Sequence, residues 1–367
     1  MNNFEHHSTS QGPDNIPSRK KPVYPISTAL RQYLQRYGRE VKLPFSYKDL
    51  QRFTYSVPLK DKFGQETAWE KVSYDLHEWT FLRQSLIEVY AILKMEGDMR
   101  FADHLDVARI DFCFFGNSQP FRIRIVNKLN DNYDHYYIKQ ADASRAFGLE
   151  LEHLLSPNRI TYFTHRDTLV EEHIPGIPGD QFIRDYLHLP TTNKIRLAKE
   201  FVKFNERCFV QLLGDMRSYN YVVNIIPDIE DFQYRIRAID FDQQSFEGRK
   251  NLYLPQFFKD NAPLVETVLQ HLDKKSIAQY QTEEKTMMTY RLVSARYRIM
   301  ELLDTMGKEA LSTPEKIAAL RSALAEHFDY KGFHKAQHMG QVLKIQLKQN
   351  LQALLRHIQS GAGRNND

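Results

Sequence analysis

Residues 212–242 decide how this chain is read. They begin LLGDMRSYNYVVN (212–224), pass a polar interruption PDIED (227–231), and close with RIRAIDFD (235–242). Asp215 and Asn220 stand five residues apart, directly before the apolar run Tyr221, Val222, Val223, and Asp240 ends a strand-like alternation. The segment between them reads as a β-hairpin with an acidic tip, which brings Asn220 and Asp240 side by side. A carboxylate in such a place can orient an attacking hydroxyl. An amide oxygen and a second carboxylate offer hard oxygen ligands to a divalent metal. Taken singly, Asn220 reads as an Asx-turn and Asp240 as a strand-end cap.

Upstream of this stretch, Thr192 or Asn193 opens a helix running towards Gln211, with Ile195, Ala198, Phe201, Val202, Cys208 and Phe209 on its buried side. A long buried helix thus feeds straight into the Asp215 loop. Further back, RIDFCFF (109–115), a turn at Gly116, Asn117 and Ser118, and FRIRIV (121–126) read as a β-hairpin. A third strand, HYYIKQAD (135–142), carries Lys139. A helix, SRAFGLELEHLL (144–155), comes next, then strands at 160–165 and 168–176. A lysine inside an apolar strand points to solvent, to a carboxylate or to a ligand phosphate. The following helix offers Glu150 and Glu152 as partners. Glu150 is preferred, because Leu154 and Leu155 at i+4 and i+5 bury that side of the helix.

In order and spacing these residues resemble the protein-kinase-like superfamily, and most closely its aminoglycoside and choline phosphotransferase branch, whose loop reads Gly-Asp and whose metal motif often reads Asp-Phe-Asp. The resemblance covers roughly residues 107 to 260. It implies an ATP- and Mg²⁺-dependent phosphotransferase acting on a hydroxyl of a small molecule. By this resemblance Asp215 is the base, Asn220 and Asp240 hold Mg²⁺, and Lys139, steadied by Glu150, contacts the α- and β-phosphates. Arg217 either screens the γ-phosphate or pairs with a neighbouring acid, and the backbone around Glu172 and Ile174, in the turn EHIPG (172–176), meets the adenine edge. Three departures stand out. The strand–strand turn holds a single glycine, Gly116; Leu213 replaces the histidine that precedes Gly-Asp; and no activation segment follows Asp242. The alternative is a kinase-like pseudoenzyme serving as a nucleotide-binding or protein-interaction module. The literal triplet His165-Arg166-Asp167 lacks an asparagine five residues on and reads as a strand-connecting turn.

The implied fold class is α+β, a two-lobed kinase-like fold. It divides into a tail (1–22), a helical N-terminal extension (23–106), a small lobe of antiparallel strands with one helix (107–176), a helical lobe (177–360) and a second tail (361–367). Within the extension, Ser46 and Asp49 form a capping-box signature, and Trp79 to Met95 has amphipathic spacing. Near the C-terminus, Tyr290 to Leu303 has helical spacing, and Thr313-Pro314-Glu315 opens a further helix. Fifty basic against forty-six acidic residues leave a net charge of +4, too balanced to suggest nucleic acid or an anionic membrane as partner. Two distant cysteines, Cys113 and Cys208, argue against a disulfide framework or zinc site and for a reducing compartment. No apolar run is long enough to span a bilayer, and the first twenty-one residues do not read as a signal peptide, so a cytoplasmic location is expected.

Overall fold

The computed structural model describes residues 21–362 except 62, 63, 101, 115–117 and 230. Of the expected tails (1–22 and 361–367), residues 1–20 and 363–367 lie outside the described residues, as do Gly116 and Asn117 of the first turn. The chain is α+β. It starts with α1 (Thr28–Arg36), the single turn α2 (Tyr47–Leu50), β1 (Tyr55–Lys60), β2 (Glu66–Ser73) and α3 (Leu76–Lys94). Next come β3 (Leu105–Cys113), β4 (Phe121–Asn127), β5 (Tyr133–Gln140), α4 (Ala143–Leu155), β6 (Tyr162–His165) and β7 (Thr168–Glu172). The seven strands form one antiparallel sheet in the order β1-β2-β3-β4-β5-β7-β6.

Alternation along β5 gives this sheet two unlike faces. Tyr136 and Ile138 are buried with Ile123, Ile125 and Phe112 under α3, whereas Tyr137 and Lys139 point the other way. The 23–106 region is therefore not purely helical. Its strands β1 and β2 continue the sheet through Trp69 to Cys113 and Lys71 to Asp111. Their side chains are mostly exposed, so no apolar alternation marks them in the sequence. The capping box is present, the Ser46 amide donating to Asp49 Oδ2 at 2.7 Å. Lys21, placed in the tail by sequence, docks instead: its Nζ donates to Asp142 Oδ1 at 2.9 Å.

The remainder is a short three-stranded sheet among helices. β8 (Ile177–Pro178) leads into α5 (Gly179–Asp185) and α6 (Lys194–Gln211). β9 (Tyr221–Pro227) and β10 (Phe232–Ala238) pair in full register, giving the order β10-β9-β8. Then follow α7 (Ala262–His271), α8 (Lys274–Ser294), α9 (Arg296–Met306), α10 (Pro314–His327) and α11 (Met339–Ala362). Asn193 caps α6, accepting from the Arg196 amide at 3.0 Å. Ile195 departs from the expected buried set; it sits in the first turn, facing solvent. The helix expected over 290–303 is two helices broken at Ala295. Arg166 adopts a left-handed φ of 54° between β6 and β7, so His165-Arg166-Asp167 is the strand-connecting turn. Among the described residues, no helix is long and apolar enough to cross a membrane.

Candidate active site

The Asp215 loop is held by main-chain bonds on both sides. α6 ends with Leu212 in the left-handed region (φ 53°), and the Leu213 amide donates to Cys208 O at 2.9 Å. Leu213 itself is buried, its backbone bridges Gln244 and its side chain packs into the core. The Asp215 amide donates to Leu252 O at 3.1 Å, and Asp215 has φ 58°. A non-glycine residue in that region costs about 1–2 kcal/mol, a strain that persists only where surrounding bonds impose it.

Three side chains converge here. Arg217 Nε donates to Asp215 Oδ1 at 3.0 Å. Asn220 Nδ2 donates to Asp215 O at 2.7 Å, which aims the amide oxygen of Asn220 away from the loop. The Ile239 amide donates to Asn220 O at 3.0 Å, fixing the start of β9 against the segment that carries Asp240. Burial pushes the Asp215 carboxyl up to about 6; Arg217 pulls it down and the charge of Asp240 adds to the rise. A carboxylate with that value suits proton transfer near neutral pH.

Lys139 and Asp240 are far apart in sequence, yet one buried chain of ion pairs joins them. Lys139 Nζ donates to Glu171 Oε2 at 2.8 Å. Arg145, in the first turn of α4, grips Glu171 through both Nε and Nη2. Its Nη1 donates to Asp240 Oδ1 and Asp242 Oδ1, each at 2.9 Å, and its Nη2 to Ile239 O at 3.2 Å. Burial alone would raise Glu171, but Arg145 and Lys139 outweigh it and hold the carboxyl at about 2. Burial, then the like charge of Asp242, pushes Asp240 up, against the pull of Arg145. Close packing makes the reach possible. A Cβ on Gly148, one turn beyond Arg145, would lie 3.0 Å from Phe241 Cβ, so glycine lets α4 rest against the Asp240–Asp242 segment.

The pairing of Lys139 with Glu150 is not what the fold contains. Glu150 points away from Lys139, towards α1 and α9, where it accepts from Tyr33, Tyr162, Arg39 and Arg298. Glu152, the other candidate, accepts from Asn158 Nδ2 at 3.3 Å. Lys139 finds Glu171 because it faces the same side of the sheet on the neighbouring strand β7. Arg145, Glu171 and Asp242 were missed in the sequence, although one signal was present. α4 is apolar nearly all round and buried, so its charged residues had to find internal partners. Of the two turn residues, the Glu172 amide donates to Thr161 O at 3.0 Å, while its side chain meets Thr161 N and Lys94. Ile174 packs into the helical core.

Among the described residues no three His, Cys, Asp or Glu side chains surround a metal position. The donors on offer are Asp240 Oδ2, which has no hydrogen-bond partner among the described residues, and the outward amide oxygen of Asn220. A carboxylate and a carbonyl-type oxygen fit Mg²⁺, which completes its octahedron with water and substrate phosphate. A surface cavity of about 450 Å³ lies apart from this cluster, between α3 and the β4–β5 turn, beside Tyr90, Lys94 and Asn127. Comparison with protein-family models and with curated protein sequences gave no match to this chain.

Proposed function

We propose that the chain is a kinase-like, ATP- and Mg²⁺-dependent phosphotransferase acting on a hydroxyl of a small molecule. The observation that carries this reading is the meeting of Lys139 and Asp240 through Glu171 and Arg145, with Asp240 adding to the field at Asp215. A sheet, a buried helix, a strained loop and a hairpin all contribute charged or polar groups to this network and its neighbourhood. In this reading the seven-stranded sheet with α4 is the small lobe, and β8 to α11 form the helical lobe.

The division of labour follows from the donors. Asn220 and Asp240 would hold Mg²⁺, which neutralises phosphate charge when bound. Lys139, a buried cation at the sheet, faces the phosphates. Asp215 takes the proton of the acceptor hydroxyl as its oxygen bonds to the γ-phosphorus and the bond to the β-phosphate oxygen breaks, releasing ADP. Arg217 holds Asp215 by Oδ1, while Oδ2, which accepts only a long 3.5 Å bond from Asn220 Nδ2, takes that proton. Positioning and charge, rather than covalent chemistry, carry such a transfer.

A second reading, a kinase-like module without turnover, draws on one fact: Arg145 is already paired with Asp240 and Asp242. Turnover separates the two, since a nucleotide-binding module also melts higher with MgATP. MgATP raises the melting temperature in the enzymatic reading, Asp240→Ala removes the rise, and ADP appears when the right member of a hydroxyl panel (sugars, amino alcohols, lipid headgroups) is added. No shift with ATP, GTP or a divalent metal defeats it.

A further inference from the structure

The charged chain at the site is unbalanced. Lys139 and Arg145 supply two positive charges, while Glu171, Asp240 and Asp242 supply three negative ones. Four of the five side chains are buried, and Asp240, 35% exposed, is the one member open to solvent. The excess negative charge is therefore available only at Asp240. Arg145 governs how much of it is felt outside. Its Nε–Nη2 edge is committed to Glu171 and its Nη1 is shared between the two aspartates, an arrangement that needs a planar fork of donors.

We propose that Arg145 is a positioning residue and the internal counter-ion of the Asp240–Asp242 pair: it fixes Lys139 through Glu171 and holds down the affinity of Asp240 for an external divalent cation. This rests on the reading of Asp240 as a cation ligand. A guanidinium 2.9 Å from Asp240 Oδ1 occupies the ground a metal would otherwise have alone. Its removal leaves two neighbouring carboxylates facing one another without compensation, and a divalent cation becomes the better partner. The consequence has an unusual sign. Loss of a buried, multiply bonded residue strengthens binding at its neighbour.

The test is Mn²⁺ titration of the full chain, followed by electron paramagnetic resonance without nucleotide. Arg145→Met should bind Mn²⁺ at least about tenfold tighter than the parent, because close charges in a partly buried site interact strongly. In an Asp240→Asn background the gain should vanish. Since Arg145→Met leaves three acids with one cation, two gentler variants accompany it. Lys139→Met, which makes the chain more negative, should tighten Mn²⁺ binding; Glu171→Gln, which makes it neutral, should weaken it. A merely structural network would lose binding in both. Unchanged or weaker binding in a folded Arg145→Met protein overturns the proposal, as does a common loss in the two gentler variants. Absence of Mn²⁺ binding in every form also overturns it; a MgATP-induced rise in melting temperature would then still support the phosphotransfer reading.

Discussion

The first turn and the middle of α4 carry buried charge in opposite ways. At Glu150, one carboxylate is surrounded by two guanidinium groups and two tyrosine hydroxyls, with six hydrogen bonds between 2.7 and 3.1 Å. The carboxylate and both tyrosines are buried, the two arginines are half-buried, and the partners come from α1, the segment after it, β6 and α9. At Arg145 the arithmetic is reversed: carboxylates outnumber cations, and one of them reaches solvent. A closed network that spends all its polar groups on itself can only hold parts together. An open one retains a charge for something else. The contrast sets a closed network against an open one on the same helix.

The sharpest way to break this contrast is to truncate both networks. Glu150→Ala should cost about 3–5 kcal/mol, because it leaves two half-buried arginines and two buried tyrosine hydroxyls without their shared carboxylate. Asp240→Asn should raise the melting temperature at neutral pH. The Asp240 carboxyl is pushed up by burial and by Asp242, so its ionised form opposes folding above the ordinary aspartate range. If both variants melted lower by similar amounts, the two networks would be equivalent and the comparison would fail.

Catalysis sharpens it next. Asp215→Asn should cut turnover by about 10²–10⁴-fold, the usual worth of a general base, while the MgATP shift survives. The pH profile of the parent should fall as pH drops through about 6, where the Asp215 carboxylate takes up its proton. A profile flat to pH 4.5 would remove Asp215 from that role. Packing gives a smaller effect. Gly148→Val would crowd Phe241 and Gln244 and should cost about 1–3 kcal/mol, lowering MgATP binding more than Glu150→Gln does.

The smallest effect lies beside the closed network. Burial, reinforced by Arg39, pushes His153 down to about 4. The unfolded chain then binds more protons than the folded one between about pH 6.5 and 4, so this histidine contributes stability above that window and loses it as pH falls through it. His153→Gln should flatten the acid decline there, read from urea midpoints at several pH values. A decline of unchanged slope would assign it to other groups.

Much of this was legible beforehand, for definite reasons. β4 and β5 announce themselves by alternation, because one face of the sheet packs under α3 and the other does not. α6 shows both its cap and its apolar stripe. Asp215, Asn220 and Asp240 were legible as a set because local spacing and a hairpin join them. What stayed hidden depended on contacts between distant segments. Glu150 and Glu171 are both acids in apolar surroundings, and only the packing of α1 and α9 around Glu150 shows that it is already taken. β1 and β2 lack an apolar face, so nothing local distinguishes them from loop.

The Glu150 network also bears on how the chain is made. Its members stand at residues 33, 39, 150, 162 and 298, so the last arrives when most of the polypeptide has already been synthesised. Until Arg298 emerges, α4 must wait with a half-satisfied carboxylate and an apolar flank that α8 and α9 later cover. Domains generally fold as units, and contacts so distant in sequence form late. A nascent chain halted before residue 298 should therefore be protease-sensitive throughout α4, and release of the full chain should close that window in one step.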